Sequence, residues 1–148
     1  DTITVAAAPA LRGRVLIVED NAINRVVCGA MLTRLGLEYA TANEGRDGIA
    51  QAERGDFDLV LMDCQMPGVD GYEATRELRK RSARARNGKA LPILALTANA
   101  FEDDRERARE AGMDAFLCKP LRLEDLRDAL ARWLPAAGAA DDASSAAA

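Results

Sequence analysis

Four short runs in this chain are apolar at every position: Val15-Leu16-Ile17-Val18, Leu59-Val60-Leu61-Met62, Ile93-Leu94-Ala95-Leu96 and Ala115-Phe116-Leu117-Cys118. A strand sends alternate side chains to opposite faces, so unbroken apolarity predicts strands covered on both sides, as in a parallel sheet between helices. A fifth run, Glu38-Tyr39-Ala40-Thr41-Ala42, is more polar and predicts an edge strand. Helix-period stretches separate the runs, and Gly36, Gly55 and Gly112 stand where left-handed residues end helices. Five strands alternating with five helices make a doubly wound α/β fold, whose ligands bind beyond the carboxyl ends of the strands.

The helices carry their own signals. Ile23, Val27, Ala30, Met31 and Leu35 form a stripe on the first helix, and Leu123, Leu126, Leu130 and Trp133 form one on the last; both are expected in the core. Asp70 and Glu73 have capping-box spacing and should open the third helix. The basic stretch Lys80 to Lys89, without interleaved aromatics, is expected to be a solvated helix end and loop. From Glu102 to Glu110 the fourth helix is nearly all charged, which predicts weak packing and freedom to shift.

Composition sets the limits. Residues 136–148 hold only Ala, Gly, Asp and Ser and have no large side chain to bury, so a disordered tail is expected there. Residues 1–12 are expected to be a linker, leaving the folded domain at 13–135. The start at Asp1 and the lack of a signal peptide suggest a piece of a longer protein. No run approaches the roughly 20 apolar residues that span a bilayer, and a net charge of −4 argues against nucleic acid as the partner. Cys28, Cys64 and Cys118 are odd in number and widely spaced; they read as buried small hydrophobes of a reducing compartment. The chain has no histidine, which removes Ser-His-Asp triads, Cys-His pairs and histidine-ligated zinc.

The strand exits hold the chemistry: Glu19-Asp20 after the first strand, Asp63 after the third, Thr97 after the fourth and Lys119-Pro120 after the fifth. Each alone could be a turn former, a cap or a solvated charge. Together, carboxylates converging on one sheet edge require a cation, and all-oxygen ligation with open positions suits Mg2+, or Mn2+. Those open positions leave room for a phosphoryl group, with Thr97 and Lys119 placed to hold its oxygens and Asp63 as the nucleophile. Such transfer needs positioning and charge stabilisation rather than a general base. Pro120 is where a cis peptide is cheap and could direct Lys119.

At these residues the sequence resembles the receiver domains of two-component response regulators. The likeness lies in Val15 to Asn21, Leu61 to Gly71, Ala95 to Asn99 and Cys118 to Pro120. It implies a flavodoxin-like three-layer (βα)5 sandwich with strand order 2-1-3-4-5. It further implies Asp63 as phosphoacceptor, with Asp20, Asp63 and the main-chain carbonyl of Gln65 as Mg2+ ligands. Glu19 would contact the ion through water, and Thr97 and Lys119 would contact the phosphoryl group. Asp63 to Pro67, Thr97 to Phe101 and Asn24-Arg25 are similar to receivers of hybrid sensor histidine kinases. The phosphodonor of that family is a phosphohistidine, so the implied partner is a separate histidine kinase or histidine phosphotransfer segment. The implied setting is bacterial cytoplasm, with possible tethering at the inner membrane through a parent kinase and no membrane contact by the domain itself.

Some features depart from the family pattern. The switch aromatic is Phe116, which lacks a hydroxyl, and Arg122 stands where Ser, Thr or Asp would cap the last helix. Asn99 and Gln65 flank the cleft as candidates for tuning phosphoaspartate hydrolysis. Phosphorylation is expected to draw Thr97 and Lys119 inward, turn Phe116 and shift the fourth helix, fifth strand and last helix. Rival readings are a stand-alone response regulator, a receiver acting only as a protein-binding module, and a flavodoxin-like cofactor binder, for which no phosphate loop follows Val18. A haloacid-dehalogenase-type phosphatase would need an aspartate where Gln65 stands, and no DNA-binding output is expected after Leu134. Oligomeric state is left open.

Overall fold

A computed structural model describes residues 11–98 and 102–134. The elements alternate without exception: β1 (Arg14–Val18), α1 (Ala22–Arg34), β2 (Glu38–Ala42), α2 (Gly45–Glu53), β3 (Leu59–Asp63), α3 (Gly71–Lys80), β4 (Ile93–Thr97), α4 (Glu102–Ala111), β5 (Ala115–Cys118) and α5 (Leu123–Trp133). The strands form one parallel sheet in the order β2-β1-β3-β4-β5, with the polar β2 at an edge as its composition predicted. Residues 1–10 of the expected linker 1–12 and the whole expected tail 136–148 lie outside the described residues, as does Asn99, whereas Leu11 is described and packs against the core.

Strand parity explains the apolar runs. Val15 and Ile17 of β1, Leu59 and Leu61 of β3, and Leu94 and Leu96 of β4 pack with Cys28 and Leu32 of α1 and Leu126 and Leu130 of α5. Their neighbours Leu16, Val18, Val60, Met62, Ile93 and Ala95 pack on the other face with Ile49 of α2, Leu78 of α3 and Ala108 of α4. Every position of the β1, β3 and β4 runs therefore meets a helix layer, giving the three-layer sandwich.

The helix ends follow the sequence at several points. Gly36, Gly55 and Gly112 all have positive φ. Asp70 caps α3 by accepting the Glu73 N–H at 2.9 Å. Arg122 gives α5 no side-chain cap.

Three expectations are corrected. On α1 the buried face is Cys28, Gly29 and Leu32, with the expected Met31 and Leu35 half-buried against the same core, whereas Ile23, Val26 and Val27 are 73%, 70% and 46% exposed and Ala30 also faces solvent. The helix is apolar on more than one side, so periodicity alone could not say which side packs. Gly29 decides it: a side chain there would strike the Tyr39 ring, so α1 lies on β2 at that point. Cys118 is exposed, because β5 is the second edge strand and the thiol sits at its open end. The basic stretch is more than a solvated loop. Ala83 and Ala85 are buried, the Arg86 N–H pairs with the Phe57 carbonyl at 2.9 Å, and Arg84 bridges Ala90 as a small hairpin. Small alanines alternating with arginines let one side of that hairpin pack while the charges remain in water.

Candidate functional site

Sheet register assembles the site. Val18 is opposite Met62, Asp63 opposite Leu96 and Thr97 opposite Cys118. Glu19 is therefore level with Asp63, and Thr97 and Lys119 follow one and two residues further along their strands, so that all four emerge at the carboxyl edge. The Glu19 N–H continues the ladder to the Ala42 carbonyl at 3.0 Å, and the Lys119 N–H continues it to the Thr97 carbonyl at 2.8 Å. Lys119–Pro120 is cis.

Around this row the chain is tightly fitted. A methyl group at Gly71 would collide with the Asp63 carbonyl, and the Gly71 N–H reaches the Cys64 carbonyl at 3.2 Å. The loop after β3 is thereby folded back against the phosphoacceptor candidate. The Gln65 N–H donates to Asp63 Oδ1 at 3.2 Å, while the Gln65 side chain is exposed.

Lys119 Nζ stands between two carboxylates, 2.9 Å from Glu19 Oε1 and 3.2 Å from Asp63 Oδ1. Glu19 and Asp63 are buried, Asp20 is exposed, and oxygens from all three lie within 4.8 Å of one another. One ammonium cannot neutralise three carboxylates. Burial, aided by the neighbouring charge of Glu19, pushes the Asp63 carboxyl up to about 7 against the pull of Lys119. Burial also opposes ionisation of Glu19, but donors from Lys119 and Asn21 prevail and hold it below its ordinary range. For Lys119, burial favours the neutral amine, yet the hydrogen bond to Glu19 and the charge of Asp63 raise its pKa. Glu19 is thus the stable partner of Lys119, and Asp63 carries the uncompensated charge.

That donor set fits a hard divalent cation. It offers carboxylate oxygens without nitrogen or sulfur, and a site with so few protein ligands leaves coordination positions to water and substrate. Thr97 is buried at the end of β4, beside the row.

Other chemistry-bearing groups stand apart. Cys28 and Cys64 are buried, and burial raises their thiols to about 12 and about 11, leaving both inert. Trp133 sits with Asp58 and Pro92 at the amino ends of the strands, opposite the site, so it is a poor optical reporter of events at Asp63. Sequence reasoning missed two features. The exposed apolar face of α1 lies beside a cavity of about 230 Å³ whose lining includes Val27, Cys28, Leu96 and Pro120. Arg25 was noticed only as part of a resemblance, yet its Nη1 reaches the Glu19 carbonyl at 2.8 Å. An apolar stripe too wide for one buried face was the available signal for the first; the second had none.

The fold and site together define a doubly wound α/β domain with a lysine-bridged acidic cleft at the strand exits. The family model for the response regulator receiver domain matches residues 15–131, and the chain belongs to that family. Hybrid signal transduction histidine kinase A of Dictyostelium discoideum is 39% identical over 131 residues, covering 87% of this chain and 6% of that protein. The chain therefore spans a small part of the length of this curated relative. The receiver domain of sensor histidine kinase PA1611 from Pseudomonas aeruginosa, solved with a magnesium ion coordinated in its active-site cleft, is 44% identical with a TM-score of 0.72, covering 82% of this chain and 96% of that one. The receiver domain of Saccharomyces cerevisiae Ssk1, solved with the histidine phosphotransfer protein Ypd1, gives 31% identity and a TM-score of 0.75, covering 84% and 89%. Among the described residues, no helix is long and apolar enough to cross a membrane.

Proposed function

We propose that this receiver accepts a phosphoryl group from a phosphohistidine onto Asp63, with Mg2+, or Mn2+ in its place, held by Asp20, Asp63 and the Gln65 main-chain carbonyl and contacted by Glu19 through water. The observation that carries this reading is the gathering of the Glu19, Asp20 and Asp63 carboxylates around a cleft where Lys119 lies 3.2 Å from Asp63 Oδ1. When bound, the cation supplies the positive charge that lets an anionic phosphoryl group approach three carboxylates. Lys119 and the Gln65 N–H fix the orientation of the Asp63 carboxylate. An Asp63 oxygen forms the new bond to phosphorus while the P–N bond breaks and its electron pair leaves with the imidazole. Lys119 and Thr97 then hold the phosphoryl oxygens. No histidine exists in this sequence, so the donor histidine belongs to a histidine kinase or histidine phosphotransfer segment outside it.

The exposed Ile23, Val26 and Val27 of α1, beside the cavity that reaches Lys119, are the surface on which that donor would dock. The relatives, which come from eukaryotes as well as bacteria, support a hybrid sensor kinase as the parent, and the bacterial cytoplasm is the setting proposed with it. Residues 13–135 are the proposed domain, with 1–12 and 136–148 as flanking segments.

The test is transfer from a phosphorylated histidine donor. Wild-type protein should acquire an acid-labile label in the presence of Mg2+, and Asp63→Asn should acquire none. Acid-stable labelling, or labelling that persists in Asp63→Asn, would overturn the reading.

A further inference from the structure

We propose that Arg25 is a positioning residue for the cation site, holding the Glu19 carbonyl so that the adjoining Asp20 carboxylate is presented to the ion; this rests on the reading of Glu19, Asp20 and Asp63 as the cation's binding cluster. The segment from Glu19 to Asn21 leaves β1 and must enter α1 at Ala22 with no residues to spare. Its flanks are pinned. The Glu19 N–H bonds the Ala42 carbonyl at 3.0 Å, Glu19 Oε2 accepts the Asn21 N–H at 3.1 Å, and Asn21 Oδ1 accepts the Asn24 N–H at 3.0 Å. The Arg25 side chain reaches the segment through Nη1 to the Glu19 carbonyl at 2.8 Å, and the first main-chain bond of α1, from the N–H at position 25 to the Asn21 carbonyl at 3.0 Å, holds the other end whatever residue stands there. These two bonds bracket Asp20.

Asp20 is the member of the acidic cluster that depends on such bracketing. Glu19 is buried and bound to Lys119, and Asp63 extends from a central strand, whereas the Asp20 side chain is exposed on a turn. Its place within 4.8 Å of the other carboxylates therefore comes from the backbone on either side. A charge-assisted bond to the preceding carbonyl is a strong restraint on that backbone.

Helix stability does not explain the arginine. A cation near a helix N-terminus opposes the helix dipole, and α1 has no acidic residue in its first turn to offset it. The counter-charge is the acidic cluster itself. The side chain reaches back from the helix to the strand exit, which places a second cation beside the loop without entering the space between the carboxylates that Lys119 occupies.

The experiment measures Mn2+ affinity by electron paramagnetic resonance, and Mg2+ affinity by calorimetry, in wild type, Arg25→Gln, Arg25→Lys, Asp20→Asn and the Arg25→Gln/Asp20→Asn double variant, together with metal-free melting temperatures. Removing a residue that orients a metal ligand ordinarily weakens binding about 10- to 100-fold, so Arg25→Gln should lose roughly tenfold while metal-free melting stays at the wild-type value. Arg25→Lys, which keeps the charge and one donor, should fall between. In the Asp20→Asn background the Arg25 substitution should cost nothing further, because both act through the same carboxylate. Wild-type affinity in Arg25→Gln, or losses that multiply in the double variant, would overturn the inference and leave the cation site standing. Should Arg25→Gln lose its fold, wild-type affinity in Arg25→Lys overturns it equally. No binding by wild type would overturn both the inference and the site.

Discussion

Lys119 Nζ donates to Glu19 Oε1 at 2.9 Å, joining the first strand exit to the last. Glu19 is 1% exposed, so this ammonium is what makes a buried carboxylate at that point tolerable. Substituting Lys119→Met would leave Glu19 charged, buried and without its cation. The metal-free domain should lose about 2–3 kcal/mol, read by urea unfolding. Glu19→Gln/Lys119→Met should recover most of that, since a neutral amide needs no counter-ion. A double variant no more stable than Lys119→Met would show that the pair is not coupled.

The proton on Asp63 should compete with the cation. Its carboxyl is raised from an ordinary 3.8 to about 7, chiefly by burial. Between those values the folded state holds a proton that the unfolded chain has released, so this group makes metal-free stability fall as pH rises from about 4 to 7. Glu19, whose pKa is lowered, contributes stability that is already complete above its ordinary 4.5. The contribution of Lys119, whose pKa is raised, is fully present below 10.5. Asp63 alone of these three therefore changes across pH 5–8. Mg2+ affinity should rise up to tenfold per pH unit as pH approaches 7, then level off. Calorimetric titration from pH 5.5 to 8 reads this, and a flat profile would contradict it.

The acidic cleft was legible in the sequence because parallel topology leaves little choice. Once the runs at Val15, Leu59, Ile93 and Ala115 are strands, residues 19, 63, 97 and 119 must emerge at one edge, and the register holds them within two residues of one another. The packing side of α1 was not legible. Cys28 and Leu32 face the sheet with Met31 and Leu35 half-buried beside them, while Ile23, Val27 and Ala30 of the same expected stripe face solvent, and the approach of Gly29 to Tyr39 sets that orientation. The exposure of Cys118 was hidden for a related reason. A run that is apolar throughout does not reveal that its strand ends the sheet. The contact of Arg25 was not legible because its partner is a main-chain carbonyl, which leaves no mark in side-chain patterns.

The exposed stripe on α1 separates docking from stability. Val26 is 70% exposed and Ile23 73%, so Ile23→Ser and Val26→Ser remove little buried area and should change stability by no more than about 0.5 kcal/mol. Phosphotransfer from a histidine donor at limiting concentration should slow at least severalfold, through weaker association with the apolar face. Leu32→Ala, on the buried side of the same helix, should do the reverse and cost about 2–5 kcal/mol of stability. Equal transfer rates for wild type and the two serine variants would remove α1 from the donor surface.

The outward switch depends on how α4 is held. Only Ala108 and Ala111 of this helix are buried, and two stacks supplement them: the Arg105 guanidinium 4.4 Å from the Phe116 ring centre and Arg107 4.3 Å from that of Tyr72. Phe116 has no hydroxyl with which to report on Thr97, so the Arg105 stack is the contact through which a turn of the ring would reach α4. A cation–π contact at an exposed site contributes about 0.5–1 kcal/mol, which corresponds to a two- to fivefold change in a local opening equilibrium. Arg105→Ala should therefore raise hydrogen exchange of α4 amides about two- to fivefold in the unphosphorylated domain, while β1 and β3, packed on both faces, stay protected. If phosphorylation turns the ring away from the helix surface, the same substitution should change α4 exchange little in the phosphorylated domain. Equal sensitivity of α4 to Arg105→Ala in both states would mean that Phe116 does not carry the signal to this helix.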